Sequence, residues 1–423
     1  MATQSTLRVG IPSPGPSFRG AFASRDFSLL FFGQMSSEFG NGVIQLALPL
    51  LVLRLTGSAL QLGAAYFFFF LPVLLFGLVG GVFVDRWDRR LTIVIVDAIR
   101  AAAFLSVAVI YYRDGLTVTH LYAVIFLEST LQNFFNPARA ALMPNLVRRD
   151  DLRAANSLME VTRHIGFLIA PPLGGVLSAA LGPAAIFLVD GVSFLVSSAS
   201  VFFIRWRQPP REQEQADGWV HRMRIVAAQS VQGLAVIVRS RVLQVAVLIG
   251  VSLNVIIAPI QVLLPLFVKN VKEAGDEYFA LLVAGLLLGL ILGSLAAPTT
   301  ARRLGLGRMT IVAVIILGAV VAAAAWPPTL WPPVVAMLIA GACIGSLNVA
   351  QTTMLQSSTT DEERGRVSAS YFTATVGVRP LSFLAMGALA SAVDIRFLFV
   401  ALGLIAVAIG AVLWRLPEVR DHH

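Results

Sequence analysis

Apolar residues in this chain come in long, nearly uninterrupted runs rather than in alternation or in narrow stripes. Twelve such segments stand out, at about 27–53, 62–84, 91–112, 119–145, 154–180, 184–206, 243–268, 278–298, 308–326, 332–358, 366–391 and 394–416. Runs of this length match helices crossing a hydrocarbon core of roughly 30 Å. The longer ones need tilt or extension beyond the bilayer. The pattern therefore predicts an all-α membrane protein with twelve transmembrane helices. Residues 1–26 form a tail with Pro12, Pro14 and Pro16 and without the apolar core of a cleaved leader. Two six-helix halves follow, 27–206 and 243–416. Between them lies a charged linker, 207–242, with Pro209, Pro210 and an amphipathic surface helix around Val220 to Val238. A short tail, 417–423, closes the chain.

Composition supports the same class. With 57% hydrophobic residues, 13% charged residues and a mean hydropathy of +0.80, a soluble domain is excluded. The net charge of +9 would suggest nucleic acid in a soluble protein. Its distribution gives another reason. With the N-terminus placed inside, 23 of the 32 Lys and Arg fall in the tails and inner connections, and five fall outside. That asymmetry puts both termini in the cytoplasm and makes the lipid bilayer, not nucleic acid, the partner. The single cysteine, Cys343, excludes an intrachain disulfide and a cysteine metal cluster. Phosphate-loop, zinc-protease and nucleophile-elbow patterns are missing, so neither an enzyme nor a metal site is expected, and ATP is not the direct energy source.

Two internal matches argue for duplicated halves. Gln45–Val52 (QLALPLLV) in span 1 recurs 216 residues later as Gln261–Val268 (QVLLPLFV) in span 7. Arg90–Val94 (RLTIV) recurs after 218 residues as Arg308–Val312 (RMTIV). Chance matches between apolar segments are easy, but two at nearly one offset in equivalent positions are not. Parallel six-helix repeats with a substrate site between them near mid-membrane are a transporter arrangement.

The turn between spans 2 and 3 is dense in charge: Gly81, Asp85, Arg86, Asp88, Arg89 and Arg90. It resembles the loop joining helices 2 and 3 of the major facilitator superfamily, Gly-x-x-x-Asp-Arg-x-Gly-Arg-Arg, with Asp88 where the pattern has its second glycine. In span 5, Gly166, Ala170, Pro171, Pro172, Gly174 and Gly175 resemble the antiporter motif of that family's exporters, with Ala170 in place of one glycine. Small residues there allow close helix approach, and the prolines allow bending. Ordinary helix packing explains the same residues. Pro137, Pro144 and Asn156 add similarity to the macrolide-efflux and enterobactin-exporter branch of the drug:proton antiporters.

Ionisable residues at membrane depth are the functional candidates. Glu38 and Glu128 fall near the middle of spans 1 and 4, where a carboxylate deprived of water favours its protonated form. They are proton-coupling candidates, or else neutral carboxyls bonded to neighbouring helices. Asp97 with Arg100, Glu160 with Arg163, and Arg139 read as an inner gate of ion pairs one or two turns from the inner surface, with proton transfer as the alternative. The resemblance adds Asp85, Arg86, Arg89 and Arg90 to that gate. Asp190 reads as a paired residue near the outer end of span 6. Arg379, deep in span 11 beside Pro380, has no acid in its own span. It pairs with Glu38 or Glu128, holds an anionic substrate group, or packs. Asn41, Gln45, Gln132, Gln261 and Asn348 are polar candidates for the substrate site. The aromatic run Tyr66 to Phe70 suits either a cavity wall or a lipid face.

Together these features imply a secondary active exporter of amphipathic small molecules, drug-like compounds or siderophore-like metabolites, in a bacterial-type inner membrane. The resemblance implies proton antiport through alternating access by a monomer, with the proton gradient as energy source and no cofactor. A lipid or lysolipid translocator of the same fold, an uptake carrier, and a non-transporting receptor or scaffold are the alternatives.

Overall fold

The computed structural model describes residues 18–420 apart from 78–79, 85–86, 210–218 and 326–328. The described chain is helical. The membrane helices are α1 Arg25–Thr56, α2 Ala59–Phe76, α3 Arg89–Tyr111, α4 Val118–Leu142, α5 Leu152–Leu181 and α6 Pro183–Phe202 in the first half. The second half holds α7 Arg241–Asn270, α8 Asp276–Leu304, α9 Leu306–Ala324, α10 Trp331–Ser357, α11 Asp361–Val376 and α12 Ile395–Trp414. Two of them continue past a break, α2 as Gly80–Val84 and α11 as Arg379–Ala392. A linker helix, Trp219–Arg239, joins the halves. Among the described residues, ten helices are long and apolar enough to cross a membrane on composition alone. The other two, α4 and α5, carry Glu128 and Arg139, and Arg153, Glu160 and Arg163.

Local chemistry explains the boundaries. Helix α1 ends at Gly57 (φ 62°), and Ser58 immediately caps α2 by accepting from the Gln61 amide. A left-handed residue followed by a capping serine turns the chain back within two residues. Asp88 caps α3, accepting from the Leu91 amide at 2.7 Å. Its carboxylate therefore has a reason to stand where the family pattern has glycine. In α11 the chain turns at Gly377 and Val378 and restarts at Arg379–Pro380, because proline supplies no amide to continue the ladder.

The halves pack alike. Helix α2 lies on α4 and α3 on α6; their counterparts α8 on α10 and α9 on α12 repeat the arrangement. Across the halves, α2 meets α11 and α5 meets α8, again as equivalent pairs. The near end is where α1 begins and α12 finishes; the far end holds the α1–α2 and α7–α8 turns. The far end is closed. There Arg54 of α1 pairs with Asp276 of α8 at 2.6 Å, Ser178 of α5 donates to the same carboxylate at 3.0 Å, and Lys269 reaches the Leu53 carbonyl at 3.4 Å. Gly63 and Gly387 let α2 and α11 touch: a Cβ on Gly63 would lie 2.5 Å from the Phe383 carbonyl oxygen and 2.9 Å from Gly387 Cα.

Candidate functional site

The first half encloses a polar chain built by helical spacing. Gln34, Glu38 and Asn41 share one face of α1, Asp97 and Arg100 one face of α3, and Asp190, Ser193 and Ser197 one face of α6. Helix α4 adds Glu128 and Arg139. Starting from the near end, Arg139 Nη1 donates to Glu38 Oε1 at 2.9 Å and to Gln34 Oε1 at 3.4 Å. Gln34 Nε2 donates to Ser197 Oγ at 3.3 Å, and Ser197 Oγ donates to Asp97 Oδ2 at 2.6 Å. Arg100 Nη1 reaches Asp97 Oδ1 at 3.5 Å, while its Nε and Nη2 grip both oxygens of Glu128, the Nε bond at 2.5 Å. Arg100 Nη2 also donates to Asn41 Oδ1 at 3.2 Å, and the guanidinium lies 3.9 Å from the Phe194 ring centroid.

Burial makes this chain consequential. Arg100 is 1% exposed and Asp97 and Asp190 are fully enclosed, whereas the Glu38–Arg139 pair keeps about a fifth of each side chain accessible. Asp190 is the least satisfied member. Its Oδ1 accepts from Ser193 Oγ at 3.2 Å, Oδ2 has no hydrogen-bond partner, and the charges acting on it are Glu128, Arg100 and Asp97. Gly40 of α1 passes so close that any side chain there would strike the Asp190 carboxyl and Ser193. Four carboxyls thus share two guanidiniums in a space with little water.

Several sequence expectations need adjustment. Arg100 sits about halfway along α3 and belongs to the Glu128 cluster, not to a gate near the inner surface, because α3 already starts at Arg89. Glu160 and Arg163 do pair, at 2.6 Å, but both side chains are more than half exposed and apart from the buried chain. Arg89 donates to the Ala141 carbonyl at 3.0 Å, and Arg90 donates to the carbonyls of Val201, at 3.2 Å, and Phe202. These arginines cap the ends of α4 and α6 within their own half, a favourable place for a cation. Asp85 and Arg86 lie outside the described residues, as does the Gln45 side chain. Asp190 was read as a paired residue near the outer end; it is buried and half-satisfied. The Asp190–Ser193–Ser197 spacing on one face was the signal.

The span 5 motif is seen to pack. A Cβ on Gly166 would lie 2.7 Å from the Glu38 carbonyl oxygen, and one on Gly174 would lie 3.0 Å from Val43. Helix α5 runs unbroken over Pro171, Pro172 and Gly175, whose side chains lie outside the description.

Arg379 pairs with neither Glu38 nor Glu128, since each is already held by an arginine of its own half. Its Nε donates to Asn254 Oδ1 on α7, and its guanidinium lies 5.3 Å from the Phe70 centroid on α2, across the interface between halves. Phe383 stacks on Tyr66 and Phe70 with centroids 4.9 and 5.1 Å apart. The run of aromatics in span 2 thus faces the second half at Tyr66 and Phe70. Gln132 Oε1 is buried without a partner; Gln261 and Asn348 are exposed.

Among the described residues, twelve membrane helices in two equivalent halves, with ionisable groups held midway along them, define a secondary transporter. The chain belongs to the Major Facilitator Superfamily, whose model matches residues 30–382. It is 27% identical over 400 residues to the multidrug efflux pump Tap of Mycolicibacterium fortuitum, covering 93% of this chain and 96% of that one. Macrolide efflux protein A of Streptococcus pyogenes is 26% identical over 274 residues, 62% of this chain and 66% of that one. Among solved structures, a variant of the nucleoside transporter NupG superposes with a TM-score of 0.74 at 12% identity, covering 92% of this chain and 99% of that one. A bacterial homologue of the lysosomal transporter Spinster, inward-facing and unoccupied, gives 0.69 at 14% identity over 93% and 96%.

Proposed function

We propose that this chain exports amphipathic small molecules from a bacterial-type cell, exchanging them for protons by alternating access in the inner membrane. Relatives named for multidrug and macrolide efflux support the export direction. The basic inner connections support a cytoplasmic near end, which makes the closed far end the outer face.

One observation carries the proton: four carboxyls, Glu38, Asp97, Glu128 and Asp190, share Arg100 and Arg139. Full ionisation would leave two uncompensated negative charges out of water, a penalty of several kcal/mol each. Bound protons remove it. Glu38 and Arg139 form the accessible end of the chain, and the bonds through Gln34, Ser197 and Asp97 tie that end to Arg100 and Glu128. Any rearrangement that parts Arg100 from Glu128 changes the charge each carboxyl faces. Proton binding and helix position are then linked, which is what antiport requires.

Everted vesicles test this with ethidium as probe. Wild type accumulates dye when a pH gradient is imposed, and a protonophore abolishes the accumulation. Glu128→Gln and Asp190→Asn lose accumulation while retaining dye-for-dye exchange. If both variants accumulate dye like wild type, the coupling does not reside in this cluster. Wild-type vesicles that move dye with no response to the gradient overturn antiport.

A further inference from the structure

At mid-depth the described part of the second half carries Arg379, with no carboxylate beside it. Among the described residues no acidic oxygen lies within the 4.0 Å ion-pair distance of Arg379. An unbalanced charge at this depth is costly and persists where something neutralises it. Asn254 offers one neutral oxygen, and the Phe70 ring face offers its quadrupole. Neither carries a negative charge. The guanidinium is not sealed in: Arg379 is partly exposed, and it stands where α2 and the second segment of α11 meet. Beside it, the fully buried Phe383 is sandwiched between Tyr66 and Phe70, with interplanar angles of 19° and 23°, and those two outer rings stay partly exposed. A fork of donors next to two partly exposed aromatic rings complements an amphiphile with a ring-bearing body and a carboxylate, phosphate or sulfonate.

Resting on the export reading above, we infer that Arg379 and Asn254, with the exposed parts of Tyr66 and Phe70 beside them, form a subsite for the anionic group of a ring-bearing amphiphile. The preferred substrates are therefore anionic or zwitterionic, and a purely cationic dye such as ethidium is carried without this contact. Arg379 Nε stays on Asn254 and the rest of the fork is offered to the ligand. The N-half carboxyls, engaged with Arg100 and Arg139, do not compete for it.

A matched dye pair tests the charge alone: a rhodamine with a free carboxylate and its methyl ester. Equilibrium binding of each to the purified full chain in phosphatidylcholine nanodiscs is compared for wild type, Arg379→Gln and Arg379→Lys. Wild type binds the carboxylate at least about tenfold more tightly than the ester, the scale of one charge-assisted contact. Arg379→Gln closes that gap to about twofold while still binding the ester, and Arg379→Lys keeps most of it. Equal wild-type affinities, no binding of either dye, or a gap that survives Arg379→Gln overturns the subsite. Binding separates this inference from the export reading, because proteoliposomes that bind the carboxylate dye but do not concentrate it sink export alone. Adding phosphatidylglycerol to the discs identifies the source of the anion. A loss of dye affinity that Arg379→Gln abolishes assigns the subsite to a lipid headgroup, and unchanged affinity assigns it to a soluble amphiphile.

Discussion

The two halves share one helix plan and differ in what they bury. The first encloses Asp97, Glu128 and Arg100 in a chain of bonds that reaches Glu38, with Asp190 buried beside it; the second has Arg379 at mid-depth with Asn254 as its partner. Duplication preserved the packing and let the polar contents diverge. Loop sequence diverged too: the equivalent of the Asp85 turn, Ala301 to Arg308, has no acid. The proposed readings divide the labour, with charge exchange in one half, ligand charge in the other, and an interface of close-packed helices to couple them. Two arginines at similar depth thus have opposite dependencies. Arg100 is needed by the carboxyls around it, and Arg379, on the proposed reading, is completed by a ligand.

The largest expected effect breaks that contrast directly. Arg100→Ala strands Asp97 and Glu128 without their cation, and removing one partner of a buried pair costs about 3–5 kcal/mol. The variant should accumulate poorly and unfold at markedly lower temperature in detergent. Arg379→Ala removes a cation that no carboxylate depends on, so its melting temperature should stay close to wild type. Equal destabilisation by the two substitutions would show that Arg379 has a structural counter-charge, and the contrast between the halves would fail.

A second prediction concerns the interface. Gly63→Leu places a branched side chain where a Cβ already meets the Phe383 carbonyl and Gly387, so α2 and α11 can no longer close at the far end. Contacts within each half, such as α2 on α4 and α8 on α10, are untouched, so abundance should hold while transport falls to background. Labelling of single cysteines from the far side should rise. Normal transport by Gly63→Leu would mean that this contact is not part of the cycle.

What the sequence revealed follows from the range of the interactions. Twelve spans, the repeat and the basic inner connections depend on composition within about 20 residues, so they can be read locally. Asp97 with Arg100 is an i, i+3 pair and was equally visible. Glu128 joins Arg100 from another helix, 28 residues away. No periodicity encodes that contact, and counting depth from the loop put Arg100 too near the surface. Taken alone, Asp190 reads as a paired residue; the shared face of Asp190, Ser193 and Ser197 carries the information. Arg379 was singled out by its isolation, but its true neighbours, Asn254 and Phe70, come from two helices that only the assembled halves bring together.

The smallest effect lies at the far end, where nothing in the sequence marked a partnership between Arg54 and Asp276. They are 222 residues apart and pair at 2.6 Å, with 46% of the arginine side chain and 16% of the aspartate exposed. An accessible pair of this kind contributes about 1 kcal/mol or less. Because it joins α1 to α8, that small energy acts only in the far-end-closed arrangement and shifts the balance between states, not the stability of either half. Arg54→Ala should raise far-side labelling severalfold at most and leave melting unchanged. Asp276→Ala should do more, since it also removes the acceptor for Ser178. In the double variant the Arg54 effect should vanish, because its partner is gone. Full additivity would instead mean that each residue acts through other contacts and that the far end is held by helix packing alone.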